Sequence, residues 1–66
     1  MKLTVNGKPV ELEGPTPLVA YLRSLGIEPR AVAVEVNERI LERADFERTT
    51  LKEGDLVEIV RMVGGG

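Results

Sequence analysis

The chain has 66 residues, with 9 lysines and arginines against 11 aspartates and glutamates, and its sequence contains neither histidine nor cysteine. A chain near this length buries only about 60% of the surface that its unfolded form exposes, which leaves little volume for a deep catalytic cavity. The lack of cysteine excludes disulfides, thiolate metal sites and a catalytic thiol, and the lack of histidine removes the usual general base near neutral pH. We therefore expect one small domain that is not an enzyme by itself and relies on partners for catalytic groups.

The charge and the aromatic content argue against a nucleic-acid partner. The formal net charge is −2, whereas nucleic-acid binding depends on cationic side chains that displace counterions from phosphates. Tyr21 and Phe46 are the two aromatic residues, too few for a base-stacking surface. No apolar run approaches the roughly 20 residues of a membrane span, and the first residues lack the continuous apolar stretch of a signal peptide. A soluble, cytoplasmic protein, monomeric when free, is expected.

The first segment is predicted to be a β-hairpin. Residues 1–5 alternate apolar and polar side chains, which is the period of a half-buried strand. Asn6-Gly7 follows and favours a type I′ turn, because both central residues of that turn have positive φ. The return strand places Val10 and Leu12 on one face. Pro9 predicts an edge position for this strand, because proline cannot donate to the hydrogen-bond ladder.

A short helix is predicted to follow. Thr16 is a good N-cap, and Pro17 suits the first helical position, where its missing N–H costs nothing. Gly26 is placed to end the helix in a left-handed conformation. Four apolar residues recur at helical spacing and predict one buried face: Leu18, Val19, Leu22 and Leu25.

The second half of the chain is predicted to add three strands. Residues 31–36 form a strand, residues 42–48 form an irregular loop or a single helical turn held by Phe46, and residues 49–51 form a short strand. The last strand runs from Leu56 to Val63. The fold class is therefore α+β, with one main helix on one face of a mixed sheet of about four or five strands.

The last strand is apolar on both faces. Val57 and Ile59 can face the helix, whereas the opposite face carries Leu56, Val60 and Met62. Because one helix covers one face, we expect these three residues to be exposed and to bind a protein partner. The alternatives are that residues 42–48 fold over them or that they only border the core. Arg61 could pair with an acidic groove of a partner or be an ordinary surface arginine.

The chain ends in Gly64-Gly65-Gly66, which predicts a division into a domain of residues 1–63 and a flexible tail of residues 64–66. Glycine adopts almost any φ and ψ, so Gly64 and Gly65 can thread a narrow channel. The carboxylate of Gly66 is the least hindered acyl group for chemical activation. The alternatives are a frayed terminus or a cloning scar.

The remaining polar residues predict no metal site in this chain. The carboxylates between residues 35 and 47 are interleaved with arginines, which is typical of a solvated surface. Asp55 follows a glycine in a turn and is expected to accept hydrogen bonds from backbone amides. Tyr21 is expected to pack in the core.

Taken together, these motifs resemble the ThiS family, the small sulfur carriers of thiamine thiazole synthesis. Phe46 stands where that family often has tryptophan, and Glu42 replaces a frequent proline. The resemblance runs from end to end of the chain and is carried by Asn6-Gly7, Thr16, Leu18, Leu25-Gly26, Ala33–Glu38, Ile40, Arg43, Gly54–Ile59 and Val63–Gly66.

The resemblance implies a ubiquitin-like β-grasp fold and a carrier mechanism. A ThiF-type enzyme, using its own ATP and magnesium, would adenylate the carboxylate of Gly66, and a persulfide protein would then supply sulfur to give a thiocarboxylate. A ThiG-type thiazole synthase would take that sulfur. Gly64 and Gly65 would thread the channel, and Leu56, Val60, Arg61 and Met62 would bind the enzymes. No cofactor is expected on the chain itself.

Three other functions are consistent with the sequence. The first is a sulfur carrier for molybdopterin synthesis or tRNA thiolation, which shares the fold and the diglycine end. The second is a ubiquitin-like modifier joined through Gly66 to lysines of other proteins. The third is an interaction or RNA-binding module in which the glycines have no role, although the acidic charge argues against RNA.

Overall fold

The computed structural model describes residues 1–63. The predicted tail, Gly64–Gly66, lies outside the described residues. The described part contains seven strands, two helices and one 3-10 turn: β1 (Lys2–Val5), β2 (Lys8–Glu11), β3 (Thr16–Pro17), α1 (Leu18–Ser24), the 3-10 turn (Pro29–Ala31), β4 (Val32–Val36), β5 (Arg39–Ile40), α2 (Arg43–Phe46), β6 (Thr50–Leu51) and β7 (Leu56–Arg61).

The main sheet has five strands in the order β2-β1-β7-β4-β5. The central pair, β1 and β7, is parallel, and the other pairs are antiparallel. The short strands β3 and β6 pair separately. The prediction of a mixed sheet with one main helix is thus confirmed, with the last strand at the centre of the sheet.

The β1–β2 hairpin forms as the sequence predicts. Val5 pairs with Lys8, so Asn6 and Gly7 are the two central residues of the turn, with φ of 50° and 79°. These positive values are those of a type I′ turn. Strand β2 is an edge strand, so the missing N–H of Pro9 leaves no carbonyl without a donor in the middle of the sheet.

The predicted N-terminus of the helix is wrong by one residue, because the N-cap is Pro17 and not Thr16. Thr16 and Pro17 form β3, opposite Leu51 and Thr50 of β6, and Thr16 Oγ1 donates to the carbonyl of Gly14 at 2.8 Å. The pairing with β6 holds this segment extended, so α1 begins only at Leu18. The C-terminal prediction is confirmed, because Gly26 follows the C-cap Leu25 and has a φ of 74°.

The core lies between α1 and the inner face of the main sheet. It contains Leu3, Leu18, Tyr21, Leu22, Val32, Val34, Phe46, Leu51 and Val57. One predicted core residue of the helix, Leu25, is 51% exposed, because it is the C-cap of α1 and lies past the last helical turn. Buried Phe46 holds α2 against the core, as expected for the 42–48 segment.

Residues 1–63 contain no helix that is long and apolar enough to cross a membrane. At Glu42, where the resemblance implies a frequent proline, the backbone amide donates to Asp45 Oδ2 at 3.1 Å. This bond caps the first turn of α2, so the start of the helix does not depend on the fixed φ of a proline.

Candidate functional site

The outer face of the main sheet, on the side away from α1, carries the exposed apolar residues of β7. Val57 is buried in the core, and alternation along the strand therefore turns Leu56 and Val60 to the opposite face. These two side chains are 56% and 61% exposed. The segment 42–48 does not cover them, so the prediction that they are exposed is confirmed.

Two further apolar residues extend this surface. Ala33 pairs with Val60, and Ile40 of β5 pairs with Glu35 of β4, so all of them lie on the same face. Ile40 is 74% exposed. We call Ala33, Ile40, Leu56 and Val60 the outer apolar patch. Ile40 was not predicted as a contact residue, because a two-residue strand shows no alternation of its own.

The outer apolar patch contains a groove with carboxylates on its rim. The groove has a volume of about 270 Å³ and is lined in part by Ile40, Val60, Glu35 and Glu58. Glu35 and Glu58 are direct cross-strand partners on β4 and β7. Like charges in that position repel each other, so a cationic group of a partner would be favoured between them.

The other predicted contact residues, Arg61 and Met62, lie at the end of β7 and apart from this patch. Arg61 pairs with core residue Val32, so alternation directs it to the helix side of the sheet. Met62 is 50% exposed, and its sulfur lies 4.0 Å from Arg43 Nη2. The structure therefore places Leu56 and Val60 together on the outer face, whereas Arg61 lies on the helix side of the sheet. Gly64, Gly65 and Gly66 lie outside the described residues.

The carboxylates of residues 1–63 form no group of three that could hold a metal ion. Asp55 accepts hydrogen bonds from the backbone amide of Lys52 at 2.8 Å and from Asn37 Nδ2 at 3.0 Å. Its carboxylate thus closes the turn before β7, as predicted from the sequence.

Comparison with known proteins identifies the family. The model of the ThiS family matches residues 3–66, which is almost the whole chain and includes the three terminal glycines. The chain belongs to the ThiS family. The match also supports the sequence-based resemblance, which rested on motifs spread over the same length.

Solved structures of ThiS proteins share the fold. A crystal structure of the thiamine biosynthesis protein ThiS from Geobacter metallireducens is 42% identical, covers all of both chains and superposes with a TM-score of 0.84. The five-stranded mixed sheet with one main helix is accordingly the ubiquitin-like β-grasp fold that the resemblance implied.

The relatives that match the chain include a longer enzyme and a small carrier protein. A thiazole synthase from Magnetococcus marinus is 39% identical over 66 residues, and the chain spans only 20% of its length. The sulfur carrier protein ThiS from Thermus thermophilus is 39% identical over 62 residues, and the match covers 94% of this chain and 95% of that protein. A ThiS domain is thus found both as a small protein and as part of a longer one.

Proposed function

We propose that this ThiS-family chain is a sulfur carrier for thiamine thiazole synthesis, acting in the cytoplasm as a co-substrate of larger enzymes. The family match through residue 66 carries the proposal, because it includes the glycines that would bear the sulfur. The relatives support it: one is a sulfur carrier protein of nearly equal length, and another is a thiazole synthase that contains a similar region.

The chemistry proceeds at the carboxylate of Gly66. An oxygen of the carboxylate attacks the α-phosphate of ATP, which releases pyrophosphate and leaves an acyl adenylate. The terminal sulfur of a persulfide then attacks the acyl carbon, a C–S bond forms and AMP leaves. A thiol next cleaves the S–S bond of the acyl disulfide, which releases the thiocarboxylate and leaves a disulfide on the donor. Adenylation is needed because a carboxylate is a poor electrophile without a good leaving group.

The chain itself would contribute presentation rather than catalysis. Gly64 and Gly65 lack a Cβ and therefore suit the narrow passage to a nucleotide site. ATP and magnesium would belong to a ThiF-type adenylating enzyme, and the sulfur would come from a persulfide protein. A ThiG-type thiazole synthase would receive the sulfur.

The outer apolar patch is proposed as the surface that binds the adenylating enzyme. Leu56 and Val60 lie on β7, the last strand before the glycines in the sequence, which favours a partner seated there. The carboxylates of Glu35 and Glu58 beside the groove favour a partner surface with a cationic side chain among apolar ones. Met62 and Arg61 would contact the enzyme at the start of the tail.

The test is intact-mass spectrometry after incubation with a ThiF-type enzyme, ATP, magnesium, a persulfide donor and a thiol. The expected product is heavier by the difference between one sulfur and one oxygen atom, and fragmentation should place the sulfur on Gly66. Omission of ATP should abolish the shift.

Variants at two glycines provide the matched comparison. Deletion of Gly66 shortens the tail by about 3.5 Å and removes the proposed acceptor, so no sulfur should be gained. Gly14→Ala should leave sulfur transfer unchanged, because a Cβ at Gly14 meets no atom within 4 Å. Sulfur uptake by the shortened chain would refute the assignment to Gly66, and its absence from the wild-type chain would refute the proposed function.

A further inference from the structure

The guanidinium of Arg43 connects three segments of the chain near the end of β7. Its Nη1 donates to the carbonyl of Pro29 at 2.7 Å, and its Nη2 donates to the carbonyl of Arg30 at 3.2 Å. Its Cζ lies 5.0 Å from the centroid of the Phe46 ring. Because that ring is 5% exposed and belongs to the core, the guanidinium is held between a fixed aromatic face and two backbone carbonyls.

The 3-10 turn that Arg43 binds is also the segment that holds the end of β7. The carbonyl of Ala31 accepts a hydrogen bond from the backbone amide of Met62 at 2.9 Å. The sulfur of Met62 lies 4.0 Å from Arg43 Nη2. Arg43 thus contacts Met62 directly, and it also bonds to the 3-10 turn that contains the acceptor of the Met62 amide.

The position of Met62 matters because Met62 is close in the sequence to Gly66, the proposed acceptor. Val63 and three glycines separate Met62 from the proposed acceptor carboxylate. Four residues span at most about 14 Å, so a shift of Met62 by a few ångström cannot be absorbed by slack in a long linker. The place where the chain leaves the sheet therefore limits where the carboxylate of Gly66 can reach.

The planar guanidinium of Arg43 fits this arrangement, whereas the ammonium group of a lysine would not. It offers donors in a fixed fork that matches two neighbouring carbonyls, while its face stacks on the aromatic ring. A lysine at this position would keep the charge but could not form both bonds and the stacking at once.

We propose that Arg43 is a positioning residue that fixes the exit of the C-terminal segment at Met62 and thereby aligns the Gly66 carboxylate for adenylation. The first half of this proposal concerns the free protein, and the second half rests on the proposed carrier function. Arg43 does not touch the nucleotide or the reacting atoms, and it acts through residues 29–31 and Met62.

The first half is tested by amide hydrogen exchange in the free protein. In Arg43→Gln the amide of Met62 should exchange about tenfold faster. The loss of the charge-assisted hydrogen bonds should raise the equilibrium constant for local opening by roughly a factor of ten. The amide of Ile59, which donates to Asn6 Oδ1, serves as an internal reference and should keep its relative protection.

The second half is tested by ATP–pyrophosphate exchange with the adenylating enzyme. In Arg43→Gln, kcat should fall roughly tenfold. This loss is smaller than the ~100-fold loss expected when the reacting group is held permanently in a wrong position. KM should stay close to that of the wild type, because the outer apolar patch is unchanged. A purely structural role would lower the melting temperature without this separation of kcat from KM.

Arg48→Gln is the matched control. Arg48 carries the same charge on the loop after α2 but faces the cleft lined by Val36 and Lys52. Neither the exchange of Met62 nor kcat should change in this variant. Arg43→Lys should show both effects at smaller size, and it decides the matter if Arg43→Gln does not fold.

The outcomes separate the two proposals. Unchanged exchange at Met62 in a folded Arg43 variant would overturn the proposal, and so would faster exchange with an unaltered kcat. If the wild-type chain itself is not adenylated, the carrier function is wrong, whereas the exchange measurement still decides whether Arg43 fixes the exit of the chain.

Discussion

The side-chain amide of Asn6 forms two hydrogen bonds with the backbone of Ile59, 53 residues further along the chain. Asn6 Oδ1 accepts from the amide of Ile59 at 2.7 Å, and Asn6 Nδ2 donates to its carbonyl at 3.2 Å. The parallel pairing of β1 and β7 covers Thr4–Leu56 and Val5–Val57, and the asparagine continues it by side chain where the backbone of β1 turns away. A turn residue thus fastens the hairpin to the central strand.

Replacement of Asn6 should separate these bonds from the demands of the turn. Asn6→Gly tolerates the φ of 50° and loses only the side-chain bonds, so the free energy of unfolding should fall by about 1–2 kcal/mol. Asn6→Ala should lose about 1 kcal/mol more, because alanine adopts the left-handed region at a cost. Urea denaturation with an unchanged m-value measures both losses. Equal stabilities of the two variants would contradict the backbone part of this explanation.

The hairpin turn between β4 and β5 contains backbone strain that a substitution can remove. Val36 pairs with Arg39, so Asn37 and Glu38 occupy a two-residue hairpin loop, with φ of 52° and 69°. A glutamate in this conformation costs about 1–2 kcal/mol. Glycine would remove this cost, but part of the gain would be cancelled because glycine loses more chain entropy on folding. Glu38→Gly should therefore raise the free energy of unfolding by about 0.5–1 kcal/mol, measured by urea denaturation.

Glu47→Gly is the control for the turn variant. Glu47 has a φ of −78°, which any residue adopts without strain. Glycine there should lower the free energy of unfolding by about 0.5–1 kcal/mol, because only the unfolded chain gains freedom. A loss of stability in both variants would mean that the conformation of Glu38 is not strained.

Two leucines of the helix should differ sharply when they are shortened. Leu22 is fully buried, so Leu22→Ala should cost about 2–5 kcal/mol through lost burial and a cavity. Leu25 is 51% exposed, and Leu25→Ala should cost about 1 kcal/mol or less. Thermal and urea unfolding followed by circular dichroism measure the difference. Similar losses would place Leu25 in the core, as the periodicity of the sequence alone had predicted.

The elements that the sequence predicted well are those specified by neighbouring residues. Asn6 and Gly7 require a tight turn wherever they occur between strands, and Gly26 ends a helix by its own conformational freedom. The alternation along residues 56–60 likewise separates buried Val57 from exposed Val60 without knowledge of the partner strands. Local chemistry decides such features, and the β-grasp architecture then follows from their order along the chain.

The features that the sequence did not predict depend on residues far away in the chain. Thr16 has the chemistry of an N-cap, yet its pairing with Leu51 keeps it extended. Arg43 looked like one charge in a solvated run, but its guanidinium bonds to carbonyls 13 and 14 residues earlier. Ile40 joins the outer apolar patch only through its register with Glu35. Contacts of this kind have no signature in local periodicity.

The outer apolar patch offers a prediction about the binding of the adenylating enzyme that stability effects cannot imitate. Leu56 and Leu25 are exposed to a similar degree, 56% and 51%, but only Leu56 lies on the outer face of the sheet. Leu56→Gln and Leu25→Gln should therefore change the free energy of unfolding by similar, small amounts. In ATP–pyrophosphate exchange, Leu56→Gln should raise KM about tenfold with little change in kcat, as expected for an apolar contact residue worth about 1.4 kcal/mol. Leu25→Gln should leave both constants unchanged, and an equal rise in KM for the two variants would show that the enzyme does not bind through the outer apolar patch.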